Sequence, residues 1–216
     1  MDRGAGMTAP SPQRDWRARC TGVVLAGGQA LRLGGIAKGL ERIGTHRMLD
    51  LVTAALGQAA DDVVISANAD DAVRWSPTLP VIRDAVPGSG AIGGILASID
   101  ATDGAVLTVP WDTPFVPASL LRALRETGEL HGAEAVLPTS SGAWGVEPLV
   151  GWFSPWCATA IAARLRAGDA RAGAWLEDVR VMQLDSSPWG DADRLFFNIN
   201  TAQDLAQAQR MLAEDA

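Results

Sequence analysis

Short apolar runs alternate along this chain with segments of helical periodicity, and this alternation limits the folds open to it. The apolar runs are GVVLAG, DVVISAN, LPVIRD, GAVLTVPWD and AEAVLP. Helical spacing appears in HRMLDLVTAALGQAA, GGILASIDA, PASLLRALRETG, WCATAIAARLRAG and TAQDLAQAQRMLAE. Strands that alternate with helices of about 10–15 residues form βαβ units. The sequence therefore predicts an α/β fold with a mostly parallel sheet flanked by helices. Pro117 should lie in the first turn of one helix, and Thr201 should cap the last.

The length of the chain and its apolar content predict one domain. Its 216 residues, 48% of them apolar, are enough to bury a core. We expect residues 1–20 to be a disordered tail and residues 21–216 to be a single domain. The tail contains no apolar segment typical of a signal peptide, and no stretch of the chain approaches 18 apolar residues. These features predict a cytoplasmic protein that does not span a membrane, and we expect a monomer.

The charge of the chain limits the classes of ligand. The formal net charge is −7, which argues against binding of nucleic acid or of an anionic membrane surface. A small anionic ligand remains compatible with an acidic chain, because a few local cations are enough to hold it. The isolated Cys20 and Cys157 are typical of reduced thiols, and the isolated His46 and His131 provide no zinc cluster.

Polar residues and glycines follow the predicted strands at the point where each strand ends. Ligands of open parallel sheets bind outside the carboxyl ends of the strands. In this chain those ends read LAGG, SAN, RD before AVPGSG, and PWDTP. The sequence therefore predicts that glycines, an amide and two aspartates gather at one edge of the sheet.

The glycine-rich stretch after the first strand is suited to an anion. Gly27 and Gly28 leave backbone N–H groups accessible, Arg32 offers a planar fork of donors, and Lys38 adds a point charge. The alternative is an ordinary glycine-rich turn with two solvated cations. The stretch does not match a P-loop, because Lys38 is followed by glycine. GSGAIG, from Gly88 to Gly93, fits a dinucleotide fingerprint, but it does not follow the first strand. We interpret it as a loop over a ligand.

Carboxylates and amides at the other strand ends are candidates for metal and ligand binding. Asp112 is a hard oxygen ligand suited to Mg²⁺, with Asp84 as a second carboxylate or as a partner of a sugar hydroxyl. We expect replacement of Asp112 by alanine to leave the fold intact, as for a surface carboxylate. Asn198 and Asn200 lie two residues apart on one predicted strand and so share a face. Each of these positions also has an ordinary explanation as a cap or turn residue.

Four motifs, in order, resemble those of the molybdenum cofactor guanylyltransferases, within the nucleotidyltransferase superfamily. LAGGQALRLGGIAKGL resembles L-A-G-G-x-x-x-R-M-G-G-x-D-K, and PGSGAIGGI resembles P-G-x-G-P-L-A-G-I. PWDTPFVP resembles C-D-T-P-F-x-P, and FFNINTAQDL resembles F-x-N-x-N-T-P-E-D-L. The resemblance covers Thr21 to about Leu212. It implies a three-layer, Rossmann-like nucleotidyltransferase fold.

The resemblance also implies an activity and a set of site residues. Members of the family transfer GMP from GTP to molybdopterin-bound molybdenum cofactor and release pyrophosphate, with Mg²⁺. Carried over to this chain, Arg32, Lys38 and Asp112 would support transfer, and Asp112 would hold the metal. Residues that would contact the substrates are Leu25, Ala26, Gly27, Gly28, Lys38, Ser66, Asn68, Asp84, Gly88, Gly90, Asn198 and Asn200. Among them, Gly27 favours guanine over cytosine, and the two asparagines would lie towards the pterin.

Three positions depart from the resemblance. Ala37 stands where the family has Asp, Ala91 replaces a proline, and Glu147 stands where the family has His or Gln. These departures leave two alternatives open. The chain could be a cytidylyltransferase or another nucleotidyltransferase of the superfamily. It could instead be a non-catalytic nucleotide-binding relative that is tethered to other cofactor-assembly proteins.

Overall fold

The computed structural model describes residues 19–27, 32–33, 36–84, 88–102 and 104–214, apart from the side chains of 32, 33 and 36. The helices are α1 (Met48–Gly57), α2 (Gly90–Ala101), α3 (Ala118–His131), α4 (Cys157–Arg166), α5 (Ala192–Leu195) and α6 (Ala202–Glu214). The strands are β1 (Cys20–Leu25), β2 (Arg32–Leu33), β3 (Ile36–Ala37), β4 (Arg42–Ile43), β5 (His46–Arg47), β6 (Asp62–Ser66), β7 (Val81–Ile82), β8 (Ala105–Pro110), β9 (Ala135–Pro138), β10 (Gly151–Phe153) and β11 (Val181–Leu184).

A mixed sheet of seven strands forms the centre of the molecule, in the order β11-β9-β10-β8-β1-β6-β7. β1 pairs in parallel with β6 and β8, and β6 pairs in parallel with β7. β10 is antiparallel to both of its neighbours, β8 and β9. The predicted α/β class with a mostly parallel sheet is confirmed.

Helices cover both faces of the sheet because its central strands are apolar on both sides. Every residue of β1 and β8 is buried, as expected for strands between two helical layers. α1 and α3 pack on one face through a core that contains Leu56 and Leu120. α2 and α4 pack on the other face through a core that contains Ile95 and Ile161. This arrangement confirms the predicted three layers.

A separate apolar cluster attaches the C-terminal helix to β4 and α1. Ile43 of β4 and Met48 of α1 are buried against Ile199 and against Ala208 of α6. The Thr201 hydroxyl accepts a hydrogen bond from the Asp204 N–H at 3.1 Å, so the predicted cap of the last helix is confirmed.

The structure differs from the sequence prediction at several places. β2 to β5 and α5 were not predicted, and Asn198 and Asn200 lie in an irregular segment and not on a strand. β10 and β11 were not predicted, and β7 is shorter than LPVIRD, so Asp84 lies in a loop. Pro117 precedes α3 as its N-cap residue and does not lie in its first turn. β1 begins at Cys20, so the expected domain boundary at Thr21 falls inside this strand; residues 1–18 lie outside the described residues. Within the described part of the chain, no helix is long and apolar enough to cross a membrane.

Candidate active site

The carboxyl ends of four neighbouring strands meet at one edge of the sheet. In the register of the sheet, Leu25 at the end of β1 lies beside Ser66 of β6 and beside Pro110 of β8, and Ser66 lies beside Ile82 of β7. The segments that follow these strands carry most of the predicted site residues. They form two groups, one on either side of the end of β1.

The first group lines a small cavity between β1, β6 and α2, which we call the β1–β6 cavity. Its lining residues are Leu25, Gly27, Ser66, Ala67, Asn68, Asp84, Gly90, Ala91 and Gly94. Six of the predicted contact residues are among them. Ala26 instead packs into the core, and Gly88 lies in the turn before α2 without lining the cavity. Gly28 lies outside the described residues, and so does the side chain of Arg32.

Hydrogen bonds fix the Asp84 carboxylate at the rim of this cavity. Asn68 Nδ2 donates to Asp84 Oδ2 at 2.9 Å, and the Asp84 N–H donates to Asn68 Oδ1 at 2.9 Å. The Ser89 hydroxyl donates to the same Oδ2 at 3.2 Å. A carboxylate held in this way is ready to accept hydrogen bonds from the N–H or O–H groups of a ligand.

Two glycines of α2 leave space at the start of the helix, Gly94 for Ser66 at the end of β6 and Gly93 for Ser89 before the helix, and the sequence analysis missed their role. A Cβ atom at Gly94 would lie 2.5 Å from the Ser66 hydroxyl oxygen, and one at Gly93 would lie 1.8 Å from that of Ser89. Gly90 begins the helix with a φ of 62°, a conformation that favours glycine. The N-terminus of α2 therefore lies beside the cavity, where its N–H groups and dipole favour an anion. The structure corrects the interpretation of GSGAIG as a loop, because Gly90 to Gly93 already belong to α2. The spacing of the glycines in GSGAIGG was the signal available in the sequence.

The second group is built around a buried ammonium. Lys38 Nζ donates to Asp112 Oδ2 at 2.5 Å and to Asn200 Oδ1 at 2.6 Å. Asn200 Nδ2 in turn donates to Asn198 Oδ1 at 3.1 Å, and the Ile199 N–H donates to the Asp112 carbonyl oxygen at 2.9 Å. The structure thus brings together four residues that the sequence predicted separately.

The burial of this group corrects one expectation. The side chains of Lys38 and Asp112 are 4% and 16% exposed, so Asp112 is not the surface carboxylate that the sequence suggested. Removal of one partner from such a pair leaves the other charge buried and unpaired. Asp112 therefore contributes to the stability of the fold as well as to the site.

Trp111 forms the wall between this second group and the core. Its ring lies directly over Gly39, where an added Cβ atom would be 2.2 Å from Trp111 Cε3. The Trp111 ring also packs against the ring of Trp75, with the two centroids 4.9 Å apart. The Trp111 N–H donates to the Leu25 carbonyl oxygen at 3.1 Å. This bond connects the end of β1, which lines the cavity of the first group, to the residue before Asp112.

Glu147, one of the positions that depart from the resemblance, lies half-buried near Asp112. Burial raises the pKa of its carboxyl from 4.5 to about 7, a backbone hydrogen bond from Leu149 lowers it, and the charge of Asp112 raises it. The sequence analysis noted the acid at this position but had no signal for its altered pKa.

The oxygen donors of the second group are compatible with a hard divalent cation. Among the residues that the structure describes, no three His, Cys, Asp or Glu side chains lie together as a metal cluster. Mg²⁺ is commonly held by only one or two carboxylates together with the phosphates of a substrate. Asp112 provides one such carboxylate, and the Asn200 amide oxygen lies near it as a second oxygen donor.

A larger cavity, of about 620 Å³, opens at the opposite edge of the sheet and is lined by Arg19, Thr21 and Asp62 among others. It lies at the amino ends of β1 and β6, where ligands of open parallel sheets do not bind. Arg19 there is paired with Asp62. The carboxyl edge is therefore the candidate active site.

The comparison with known families identifies the chain. Residues 22–185 match the model of the MobA-like NTP transferase domain. The chain belongs to this family. A molybdenum cofactor guanylyltransferase from Cereibacter sphaeroides is 34% identical to this MobA-like chain over an alignment of 211 residues, which covers 92% of this chain and 100% of the relative. The resemblance stated from the motifs is confirmed.

Solved structures give the same fold. Molybdopterin-guanine dinucleotide biosynthesis protein A from Archaeoglobus fulgidus superposes on the MobA-like chain with a TM-score of 0.76 at 23% identity. The match covers 90% of this chain and 99% of that one. A Mycobacterium tuberculosis protein, solved in complex with manganese, superposes with a TM-score of 0.62 at 21% identity and covers 89% of this chain and 98% of its own. The nucleotidyltransferase fold is therefore confirmed.

Proposed function

We propose that this chain transfers GMP from GTP to molybdopterin-bound molybdenum cofactor, with release of pyrophosphate and with Mg²⁺ as the divalent cation. The observation that carries the proposal is the pair of side-chain groups on either side of the end of β1. They lie in a chain that spans the whole length of a relative described as a molybdenum cofactor guanylyltransferase. The proposal includes a monomer that acts in the cytoplasm.

The β1–β6 cavity is the proposed site of the guanine nucleoside. Gly27 has no atom within 4 Å of the position of a Cβ, so a flat base can lie against its backbone. Asp84 and Asn68 at the rim provide acceptors and donors for the base or the sugar. The N-terminus of α2 then faces the phosphates, whose charge it favours.

The second group is the proposed site of transfer. Lys38 and Arg32 would stabilise the charge of the phosphates, and Asp112 with Asn200 would hold the cation. Asn198, next to this group, would face the pterin. A divalent cation bound there would neutralise charge on the phosphate oxygens.

The reaction requires positioning more than covalent chemistry. A terminal phosphate oxygen of molybdopterin attacks the α-phosphorus of GTP in line, and a new P–O bond forms. The bond between the α-phosphorus and the bridging oxygen breaks, and pyrophosphate leaves with that electron pair. An ionised phosphate oxygen is itself the nucleophile, so the protein need not supply a base. The proposed role of the site is to align the two substrates and to stabilise charge.

The test is to incubate the purified chain with molybdopterin-bound cofactor, Mg²⁺ and each nucleoside triphosphate in turn. We expect pyrophosphate and a guanine dinucleotide product with GTP only, and neither product when Asp112 is replaced by asparagine. Product from CTP in place of GTP would identify a cytidylyltransferase. Nucleotide binding without pyrophosphate in any reaction would identify the non-catalytic alternative.

A further inference from the structure

The second group already contains a positive charge, the ammonium of Lys38. The side chain of Lys38 is 4% exposed, and its ammonium donates to Asp112 Oδ2 and to Asn200 Oδ1. The proposed function assigns the Asp112 carboxylate and the Asn200 amide oxygen to the divalent cation, and Lys38 already contacts one oxygen of that carboxylate and the same amide oxygen. An ammonium and a metal ion cannot both lie in contact with the same oxygens, because like charges at that separation repel strongly away from water.

Lys38 is the only lysine in the sequence, and the other 17 of its 18 cationic residues are arginine. Arginine presents a planar fork of donors, whereas lysine carries a compact charge with three rotatable donors on a flexible stem. Of these two side chains, the lysine ammonium is closer to a metal ion in size and charge distribution. The chain thus has lysine at the one position where a cation sits between a carboxylate and an amide oxygen.

The backbone that carries this lysine is held in place. Trp111 lies against Gly39, with a Cβ position only 2.2 Å from the ring, and Lys38 begins a buried 3-10 turn. The Trp111 ring that limits this turn is itself packed against Trp75. The ammonium can therefore leave Asp112 by rotation of the four-carbon side chain, without a change in the backbone.

We propose that Lys38 occupies the cation site in the free chain and vacates it when the triphosphate arrives. The polyphosphate offers the ammonium several negative oxygens in place of one carboxylate, so Lys38 turns towards it and Asp112 becomes available to the metal. The divalent cation then binds to the nucleotide complex and only weakly to the free chain. This inference rests on the proposed function, since it takes the assignment of Asp112 from there.

The test measures Mn²⁺ binding in the absence of any nucleotide. The chain is titrated with Mn²⁺, and the free ion is measured by electron paramagnetic resonance. We expect weak binding to the wild type and an affinity higher by about tenfold or more for Lys38→Met, because the competing cation is gone. The gain should disappear in Lys38→Met combined with Asp112→Asn. Arg164→Met is the matched control: it removes one positive charge from the exposed pair of Arg164 with Asp178, and it should bind Mn²⁺ like the wild type. Equal Mn²⁺ affinity in Lys38→Met and the wild type would overturn the proposal.

A second measurement on the wild type decides the question if Lys38→Met does not fold. As the chain has one lysine, an amine-reactive reagent can label only Lys38 and the terminal amine, which mass spectrometry separates. We expect slow labelling of Lys38 in the free chain and faster labelling as Mn²⁺ is raised, since the metal displaces the ammonium towards solvent. Labelling that does not respond to Mn²⁺ would show that the pair is purely structural.

Neither measurement uses the pterin acceptor or the transfer reaction. If the chain transfers no GMP but Lys38→Met gains Mn²⁺ affinity, the exchange of cations stands and the proposed function falls. If the chain transfers GMP and Lys38→Met gains nothing, the inference alone falls.

Discussion

Replacement of Gly39 by alanine tests whether the wall formed by Trp111 sets the geometry of the site. The added methyl would lie 2.2 Å from Trp111 Cε3 and 2.6 Å from Cδ2, whereas ordinary contact needs about 3.5 Å. The ring must therefore move by roughly 1 Å, although Trp111 is only 3% exposed and packs against Trp75. Overpacking of this kind costs about 1–3 kcal/mol of stability. Asp112 follows directly in the chain. If it acts as the proposed function assigns, a displacement of that size would reduce the rate by up to about 100-fold.

The assay is urea unfolding together with the rate of pyrophosphate release, and Gly57→Ala is the control. A Cβ atom at Gly57, the last residue of α1, would lie 3.9 Å from Val63 Cγ2, which is ordinary contact. Neither glycine has a positive φ, so the two substitutions differ in the space available. We expect Gly57→Ala to be neutral or to stabilise the fold by up to about 1 kcal/mol, with unchanged activity. If Gly39→Ala matched the wild type in both stability and rate, the argument that Trp111 positions Asp112 would be refuted.

Three further substitutions test other parts of the site. Gly27→Ala should leave stability unchanged, because nothing lies within 4 Å of its Cβ position. In binding titrations it should weaken the binding of GTP more than that of CTP, by about 1 kcal/mol or more. Equal losses of affinity would show that base selection lies elsewhere. Asp112→Ala should lower the free energy of unfolding, measured by urea denaturation, by about 3–5 kcal/mol, since it leaves the Lys38 ammonium without its carboxylate. A variant as stable as the wild type would show that the pair is not buried in solution. Glu147→Gln tests pH dependence. The folded-state pKa of Glu147, about 7, lies above its ordinary 4.5, so the wild type should lose about 1–3 kcal/mol of stability as the pH rises from 4.5 to 7. The Gln variant should not show this loss. If the free energy of unfolding changed with pH in the same way in both proteins, the predicted role of Glu147 would be wrong.

Much of the fold could be predicted because its central strands are continuous apolar runs. β1 and β8 are buried along their whole length, and such runs stand out in a sequence. β10 has only three residues, and β11 includes the exposed Gln183 within a mixed pattern. Neither strand is long or regular enough for its pattern of apolar residues to be detected. Each forms by pairing with strands that are distant in the chain.

The same distinction applies to the candidate site. The rule that ligands bind at strand ends predicted Asp84 and Asp112 from local sequence. The partners of Lys38 could not be predicted in this way, because they lie 74 and 162 residues further along the chain. A lysine in a glycine-rich stretch looks solvated from sequence alone, but here its ammonium is buried against Asp112 and Asn200.

The return of the C-terminal segment to the centre of the molecule has a consequence for biosynthesis. Asn200 accepts from Lys38, and α6 packs against β4 through Ala208. The ribosome adds about 5–20 residues per second, so roughly 4–18 s separate the synthesis of Asp112 from that of Asn200. Throughout that interval the sheet edge lacks Asn200, and the Lys38 ammonium lacks one of its two hydrogen-bond partners. A nascent or C-terminally truncated chain would thus have an incomplete candidate site, and we expect it to be complete only when the final helix has docked.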